Sequence, residues 1–127
     1  MVEWINFVKI EISFKNIEKK LGVKLPPDLK EIVKLYNKGM PRPNKIRLEN
    51  GKFVEVVQML SFNFDEQFTV YSCMTDFMKA EKIVPIAVTK NNNFVCIKDD
   101  GIILYNVELN VEKKLCTTFT EFLGKLE

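Results

Sequence analysis

Three short runs of β-branched and aromatic residues between Ile83 and Val107 constrain the fold of this chain most. The runs are Ile83–Val88, Phe94–Lys98 and Ile102–Val107, with Asn91-Asn92-Asn93 and Asp100-Gly101 between them. Asn clusters and Asp-Gly favour tight turns between paired strands. The pattern therefore predicts an antiparallel meander of three strands.

The register of the last hairpin depends on which residues form its turn. A two-residue turn at Asp100-Gly101 places Asp99 opposite Ile102 and Ile97 opposite Leu104. One face then carries Val95, Ile97, Ile102 and Leu104, and the other carries Phe94, Cys96, Ile103, Tyr105 and Val107. A strand with one solvated face alternates apolar and polar residues, and these strands do not. We expect a sheet that is covered on both faces, or one that keeps an apolar face for a partner.

Helices are predicted on the N-terminal side of the meander. Ser13 suits the cap of a helix over Phe14–Leu21 that stops at Gly22. Pro27 suits the first position of the next helix, which we expect to end at a left-handed Gly39. Residues 2–14 fit both a helical and an alternating pattern, and a short helix is the interpretation adopted here.

Three further elements complete the predicted fold. Asn50-Gly51 predicts a two-residue hairpin turn with Leu48 facing Phe53 and Glu49 facing Lys52. Residues 66–80 show helical spacing, with Asp65 as the candidate cap, and Thr118 with Glu121 forms a capping box for a last helix. The prediction is one α+β domain over residues 1–127, with helices packed on an antiparallel sheet.

Several kinds of chemistry have no residues to support them. The chain contains no His, no Gly-rich phosphate loop, no nucleophile elbow and no zinc-type cysteine spacing. We therefore expect no catalytic residue, no metal and no cofactor. Cys73, Cys96 and Cys116 form no CxxC pair, which suits a reducing compartment. Without a secretory signal or a long apolar run, the expected location is the cytoplasm, with no membrane partner.

Charge is distributed unevenly along the chain. Residues 1–60 hold 12 Lys/Arg and 7 Asp/Glu, net +5, whereas residues 61–127 hold 7 and 10, net −3. The carboxylates expected to contact a basic partner are Asp65, Glu66, Asp99 and Asp100, although turn formation and helix capping explain the same residues. A basic series could dock phosphate or be a solvated helix face: Lys30, Lys34, Lys38, Arg42, Lys45 and Arg47. It lacks interleaved aromatics, so nucleic acid is not the expected partner.

Several segments, in order, resemble the signature of the SUKH superfamily, the Smi/Knr-like domain. They are residues 17–30, Tyr36-Asn37-Lys38-Gly39 with Pro41, residues 83–87, residues 93–97 and residues 118–123. The matching signature positions are Leu21, Gly22, Leu25, Pro26, Asn37 and Gly39. Lys38 replaces the commoner Gly of Asn-Gly-Gly, and Lys98-Asp99-Asp100 also departs from the usual pattern.

The resemblance implies an α+β domain without catalytic residues. Bacterial members are typically immunity proteins that bind and neutralise a cognate toxin, often a nuclease, and a fungal relative regulates cell-wall assembly. The expected function is therefore that of a toxin-binding immunity protein. An intracellular scaffold or regulator, and a small-ligand or nucleic-acid module, are the alternatives.

Overall fold

Helices and antiparallel strands make up the computed structural model, which describes residues 2–99 and 101–127. In chain order the elements are β1 (Glu3–Ile5), α1 (Phe14–Leu21), α2 (Pro27–Tyr36), β2 (Met40–Arg42), β3 (Lys45–Arg47), β4 (Phe53–Met59), α3 (Val70–Cys73), α4 (Asp76–Glu81), β5 (Val84–Thr89), β6 (Phe94–Lys98), β7 (Gly101–Asn106), β8 (Val111–Cys116) and α5 (Phe119–Gly124). Strands β3 to β8 form one sheet in sequential order, and β1 pairs with β2 separately. The predicted α+β class is confirmed.

The predicted meander is present as β5, β6 and β7, but its last hairpin has a different register. Ile97 lies opposite Ile102 and Lys98 opposite Gly101, two residues away from the predicted pairing. Asp99 adopts a left-handed conformation (φ +51°) in this turn, whereas Asp100 lies outside the described residues. A shift of two residues leaves every side chain on its predicted face, because side chains alternate with period two.

Both faces of the meander are covered, which is the first of the two arrangements that the sequence allowed. Val95, Ile97 and Ile102 belong to the main core, which also contains residues of α1, α2 and α5. On the opposite face, Cys96 and Tyr105 pack in a smaller cluster with Met78 of α4. The meander is therefore enclosed by helices on one side and by the α4 segment on the other, and it leaves no broad apolar face among the described residues.

The first two helices follow the prediction at their N-termini. The Ser13 side chain accepts a hydrogen bond from the Asn16 N–H, and Gly22 ends α1 in a left-handed conformation. Helix α2 starts at Pro27 but ends at Tyr36, and the left-handed residue that follows is Lys38 (φ +66°) rather than Gly39. The prediction of a left-handed Gly39 is therefore wrong.

The N-terminal segment is not the predicted helix. Residues Glu3–Ile5 form β1, which pairs with β2 so that Trp4 lies opposite Pro41. The ring of Trp4 stacks on Tyr36, with ring centroids 5.9 Å apart. These non-local contacts decide between the two patterns that the segment fits, because the helical and alternating spacings are both present locally.

The turn between β3 and β4 is longer than predicted. Leu48 and Lys52 close it through a Leu48 N–H to Lys52 carbonyl bond of 2.8 Å, and Gly51 is left-handed (φ +82°). Arg47 therefore lies opposite Phe53, one residue from the predicted register. A three-residue loop with a left-handed Gly is the common alternative to a two-residue turn.

The predicted helix over residues 66–80 is replaced by a loop and two short helices. Thr69 caps α3 and Thr75 caps α4 through side-chain bonds to Ser72 N–H and Met78 N–H. Asp65 is therefore not a helix cap. A hydroxyl that accepts the first free N–H groups starts a new helix, so two such threonines divide the segment.

The C-terminal helix forms as predicted, and a strand that was not predicted precedes it. The Thr118 hydroxyl accepts a bond from the Glu121 N–H, and Phe119 and Phe122 are fully buried. Strand β8 is mostly solvent-exposed at the edge of the sheet. Its sequence, Val-Glu-Lys-Lys-Leu-Cys, is too polar to stand out as a strand.

Candidate protein-binding surfaces

A compact loop between β4 and α3 carries two of the predicted partner-binding residues. Its base is closed by two backbone bonds, from Ser61 N–H to the Phe68 carbonyl (3.0 Å) and from Val70 N–H to the Ser61 carbonyl (2.9 Å). We call residues Ser61–Thr69 the closed loop. Phe62, at its start, is fully buried and fixes the loop to the core.

A network of buried polar side chains holds the closed loop from inside. The Asn37 Oδ1 accepts from Phe62 N–H, and its Nδ2 donates to the Ser61 hydroxyl, both at 3.0 Å. Asn37 and Ser61 are both fully buried. A buried polar network in which every group is paired rigidifies its surroundings, so the end of α2 and the base of the loop are coupled through Asn37.

The network extends to the loop's acidic residues. The Glu66 Oε1 accepts from the Ser61 hydroxyl (2.8 Å) and from Asn63 Nδ2 (2.6 Å). Asn63 also bonds the N-terminal segment, since its Oδ1 accepts from Glu11 N–H at 2.9 Å. Glu66 is therefore half-buried and structural through one oxygen, whereas its neighbour Asp65 is exposed.

Two phenylalanine rings project from the closed loop into solvent. Phe64 is 40 % and Phe68 61 % exposed, and Phe68 has a left-handed backbone (φ +54°). The Lys20 ammonium lies over the Phe64 ring, 5.1 Å from its centroid, and over Tyr71 at 5.5 Å. The Tyr71 hydroxyl donates to the Phe62 carbonyl at 2.7 Å, and burial raises the Tyr71 pKa.

A cavity of about 480 Å³ adjoins the closed loop. Carboxylates from Glu11, Asp65 and Glu66 line it, with Lys9 as the one basic residue of the lining. Phe64 forms part of its apolar wall. The balance of charge at this cavity is negative, which suits a cationic side chain.

The third predicted partner-binding residue, Asp99, lies at a different place. It is exposed at the rim of a groove of about 790 Å³ whose apolar lining includes Leu25, Pro26, Ile102 and Phe119. This groove shares no lining residue with the cavity beside the closed loop. The predicted acidic residues therefore fall on two surfaces, and Asp100 lies outside the described residues.

The wall of the groove is held by two carboxylates. Asp28 Oδ2 accepts from the N–H (2.9 Å) and hydroxyl (3.0 Å) of Thr120, which ties the start of α2 to α5. Glu18 Oε2 accepts from Leu25 N–H at 2.6 Å and pairs with Lys30 Nζ at 3.0 Å. Burial alone would raise the pKa of Glu18, but these two partners outweigh it, so the pKa is lowered.

The signature residues act through backbone and packing. Gly22 donates its N–H to the Glu18 carbonyl at 2.9 Å. Leu25 is buried and Leu21 is half-buried, and Pro26 directly precedes α2. At Gly39 a Cβ atom would lie 2.8 Å from the Tyr36 carbonyl oxygen and 3.0 Å from the Trp4 ring. Gly39 is therefore required by close packing against Trp4 and the end of α2.

The basic series does not form one free surface. Lys30 is paired with Glu18, and Arg47 with Glu127 at 3.3 Å. The guanidinium of Arg47 also lies over the Phe53 ring, 4.6 Å from its centroid. Lys34 is exposed on α2, which agrees with a solvated helix face, whereas Arg42 and Lys45 are exposed on strands β2 and β3.

Burial lowers the reactivity of the three cysteine thiols. Burial raises the pKa of the Cys116 thiol to about 11 and also raises those of Cys96 and Cys73. A thiol with a raised pKa is a poor nucleophile at neutral pH. No cluster of three or more potential metal ligands occurs within residues 2–99 and 101–127. Over the same residues, no helix is long and apolar enough to cross a membrane.

Sequence reasoning singled out the carboxylates of the closed loop but missed its two exposed aromatic residues, Phe64 and Phe68. The helical spacing over residues 66–80 was assigned from Val70, Tyr71, Met74, Phe77 and Met78, and it gave these two rings no role. The available signal was the alternation Phe-Asn-Phe-Asp-Glu-Gln-Phe, in which polar residues interrupt the aromatic ones. The role of Asn37 was visible only as a signature match, because its partners lie 24 and 25 residues away.

Comparison with known proteins gives one match. The family model described as SMI1 / KNR4 family (SUKH-1) matches residues 11–125. A search of curated proteins and a search of solved structures found no match. The matched range contains the closed loop, the groove and all six signature positions.

Proposed function

This chain belongs to the SMI1/KNR4 family (SUKH-1), and on that premise we propose that it is an immunity protein that binds and neutralises a cognate toxin. The family match over residues 11–125 is the observation that carries the proposal, because the family includes toxin-immunity proteins. The proposed protein acts in the cytoplasm by binding alone, without cofactor, metal or turnover.

Neutralisation by binding needs only a complementary surface that covers the toxin's active site or its substrate path. An interface of standard size buries roughly 800 Å² on each partner. The proposed contacts are four carboxylates, Asp65 and Glu66 of the closed loop and Asp99 and Asp100 between β6 and β7; of these, Asp65 and Asp99 are exposed and Glu66 is half-buried. A nuclease presents basic groups to its substrate, so acidic side chains on the inhibitor favour rapid association.

The first experiment asks whether a toxin exists. The protein encoded directly upstream of this gene is expressed in a susceptible host, with and without this chain. The proposed function requires that the upstream protein stop growth and that co-expression restore it. Growth arrest that this chain does not relieve, or an upstream protein without toxicity, would contradict the proposal and favour a scaffold or regulatory role.

The second experiment tests the acidic turn. Asp99→Lys with Asp100→Lys is expected to slow association with the toxin by up to about tenfold at low salt, and to reduce protection. The matched control is Asp99→Asn with Asp100→Asn, which removes charge without reversing it and keeps a residue type that tolerates the left-handed conformation of Asp99. Full protection and unchanged association by the Lys variant would remove this turn from the interface.

A further inference from the structure

The closed loop exposes an aromatic ring, that of Phe68, on a backbone in a disfavoured conformation. Phe68 is 61 % exposed, so its ring gains little from burial in the fold. Its left-handed backbone (φ +54°) is disfavoured by about 1–2 kcal/mol for a residue with a side chain. The bond from Ser61 N–H to its carbonyl holds that backbone in place.

The loop is also prepared for binding before any partner arrives. Its base is fixed by the two backbone bonds at Ser61, and its interior by Asn37 and Asn63. A rigid loop loses little conformational entropy on association, so the binding energy of its exposed rings is retained. Aromatic side chains, Phe included, are enriched at the cores of protein interfaces, and a few central residues carry most of the binding energy.

Charge identifies the kind of partner. Between Ser61 and Thr69 the chain has Asp65 and Glu66 but no Lys or Arg. Glu66 uses Oε1 for the internal network, and Glu11 adds a further carboxylate to the adjoining cavity. Lys20 over the Phe64 ring and Lys9 in the cavity lining offset part of this charge, but three carboxylates against two ammonium groups leave it negative. A partner with Lys or Arg side chains around an apolar pocket is complementary to it.

We propose that Phe68 and Phe64 are the apolar anchors of the interface with the toxin, and that Asp65 and Glu66 beside them receive basic side chains of that toxin. This proposal rests on the proposed function and locates its main binding energy at the closed loop rather than at the β6–β7 turn. Phe68 is the stronger anchor, because Lys20 already covers one face of Phe64.

The test measures binding of purified variants to a catalytically inactive form of the upstream-encoded protein by biolayer interferometry. Phe68→Ala is expected to raise Kd by about 30-fold or more, the range of an interface hot spot. Phe53→Ala is the matched control, since Phe53 is also exposed (47 %) but lies on β4 outside the loop. Its Kd is expected to stay within about threefold of wild type.

A second variant separates binding from folding. Phe68→Gly removes the ring and relieves the left-handed backbone, so the unfolding midpoint should be unchanged or higher while the Kd rises as in Phe68→Ala. A ring that served only the fold would instead lower the midpoint when removed.

The outcomes distinguish this proposal from the function on which it rests. If wild type binds and the Phe68→Ala and Phe68→Gly variants bind equally well, Phe68 is not the anchor and only this inference is overturned. If wild type itself does not bind the upstream-encoded protein, the proposed function fails, and the inference fails with it.

Discussion

Replacing Asn37 with Ala should show how much the buried network contributes to stability. The substitution removes two bonds of 3.0 Å, one from Phe62 N–H and one to the Ser61 hydroxyl. Each is worth about 1 kcal/mol net, and leaving the buried Phe62 N–H unpaired costs a further 1–3 kcal/mol or so, with part of that overlapping the first term. We expect the free energy of unfolding to fall by about 2–4 kcal/mol.

For a chain of this size, 1 kcal/mol corresponds to a change in Tm of roughly 4 °C, so Asn37→Ala should lower Tm by about 8–16 °C. Calorimetry and urea denaturation measure the two quantities independently. Amide hydrogen exchange provides a local readout, because the Phe62 N–H should lose protection more than the amides of β6 and β7.

Asn16→Ala is the matched control for this experiment. Asn16 is exposed on α1, so the same substitution there should change stability by no more than about 0.5 kcal/mol. Equal Tm values for the two variants, with Phe62 N–H still protected, would refute the reasoning. The loop base would then be held by its backbone bonds and by Phe62 alone.

Two further predictions concern the signature region. Gly39→Ala should destabilise the fold by about 1–3 kcal/mol, because the added Cβ would lie 2.8 Å from the Tyr36 carbonyl oxygen. Lys38→Gly should be neutral or stabilising by up to about 1 kcal/mol, because Lys38 has a left-handed backbone. Urea denaturation that gives the opposite order of stability would contradict this account. The pKa of Glu18 is lower in the folded state than its ordinary value of 4.5. The ionised Glu18 carboxylate therefore stabilises the fold fully above pH 4.5, and this stabilisation is lost as the pH falls through the folded-state pKa. Glu18→Gln should therefore be less stable than wild type at neutral pH and converge with it in acid, and a difference independent of pH in thermal unfolding would argue against the charged pair.

The meander was predictable because its information is local. Runs of β-branched residues between turn residues identify β5, β6 and β7 without any knowledge of tertiary contacts. The register of the β6–β7 hairpin was not predictable, because Asp99-Asp100 and Asp100-Gly101 are both acceptable residue pairs for a two-residue turn. The Lys98–Gly101 pairing is set instead by the strands on either side, with β7 also pairing with β8.

The N-terminal strand shows why other elements were not predictable. Residues 2–14 satisfy two periodicities, and the choice depends on pairing with β2 and on Trp4 stacking against Tyr36. Both partners lie more than thirty residues away. The prediction of one helix over residues 66–80 was wrong for a local reason. It followed the apolar spacing, whereas the caps at Thr69 and Thr75 start two separate short helices.

In the candidate site, too, local features could be predicted from the sequence and features that depend on distant contacts could not. Exposure of Asp65 and Asp99 follows from their loop positions and could be expected from sequence. The bonds that hold the base of the closed loop could not be expected, because they join Asn37 at the end of α2 to Ser61 and Phe62. Where a chain breaks a local rule, as Phe68 does with its left-handed backbone, the reason is usually functional.

This arrangement separates the residues that hold the binding surface from those that make contact. Asn37 and Ser61 are buried and unable to touch a partner, whereas Phe64, Asp65 and Phe68 are exposed and contribute little to the core. Changes in the exposed residues should therefore alter affinity and specificity with small effects on folding. Changes in the buried pair should reduce stability first, and affinity only as far as they loosen the loop, because preorganisation is what lets its rings bind at low entropic cost.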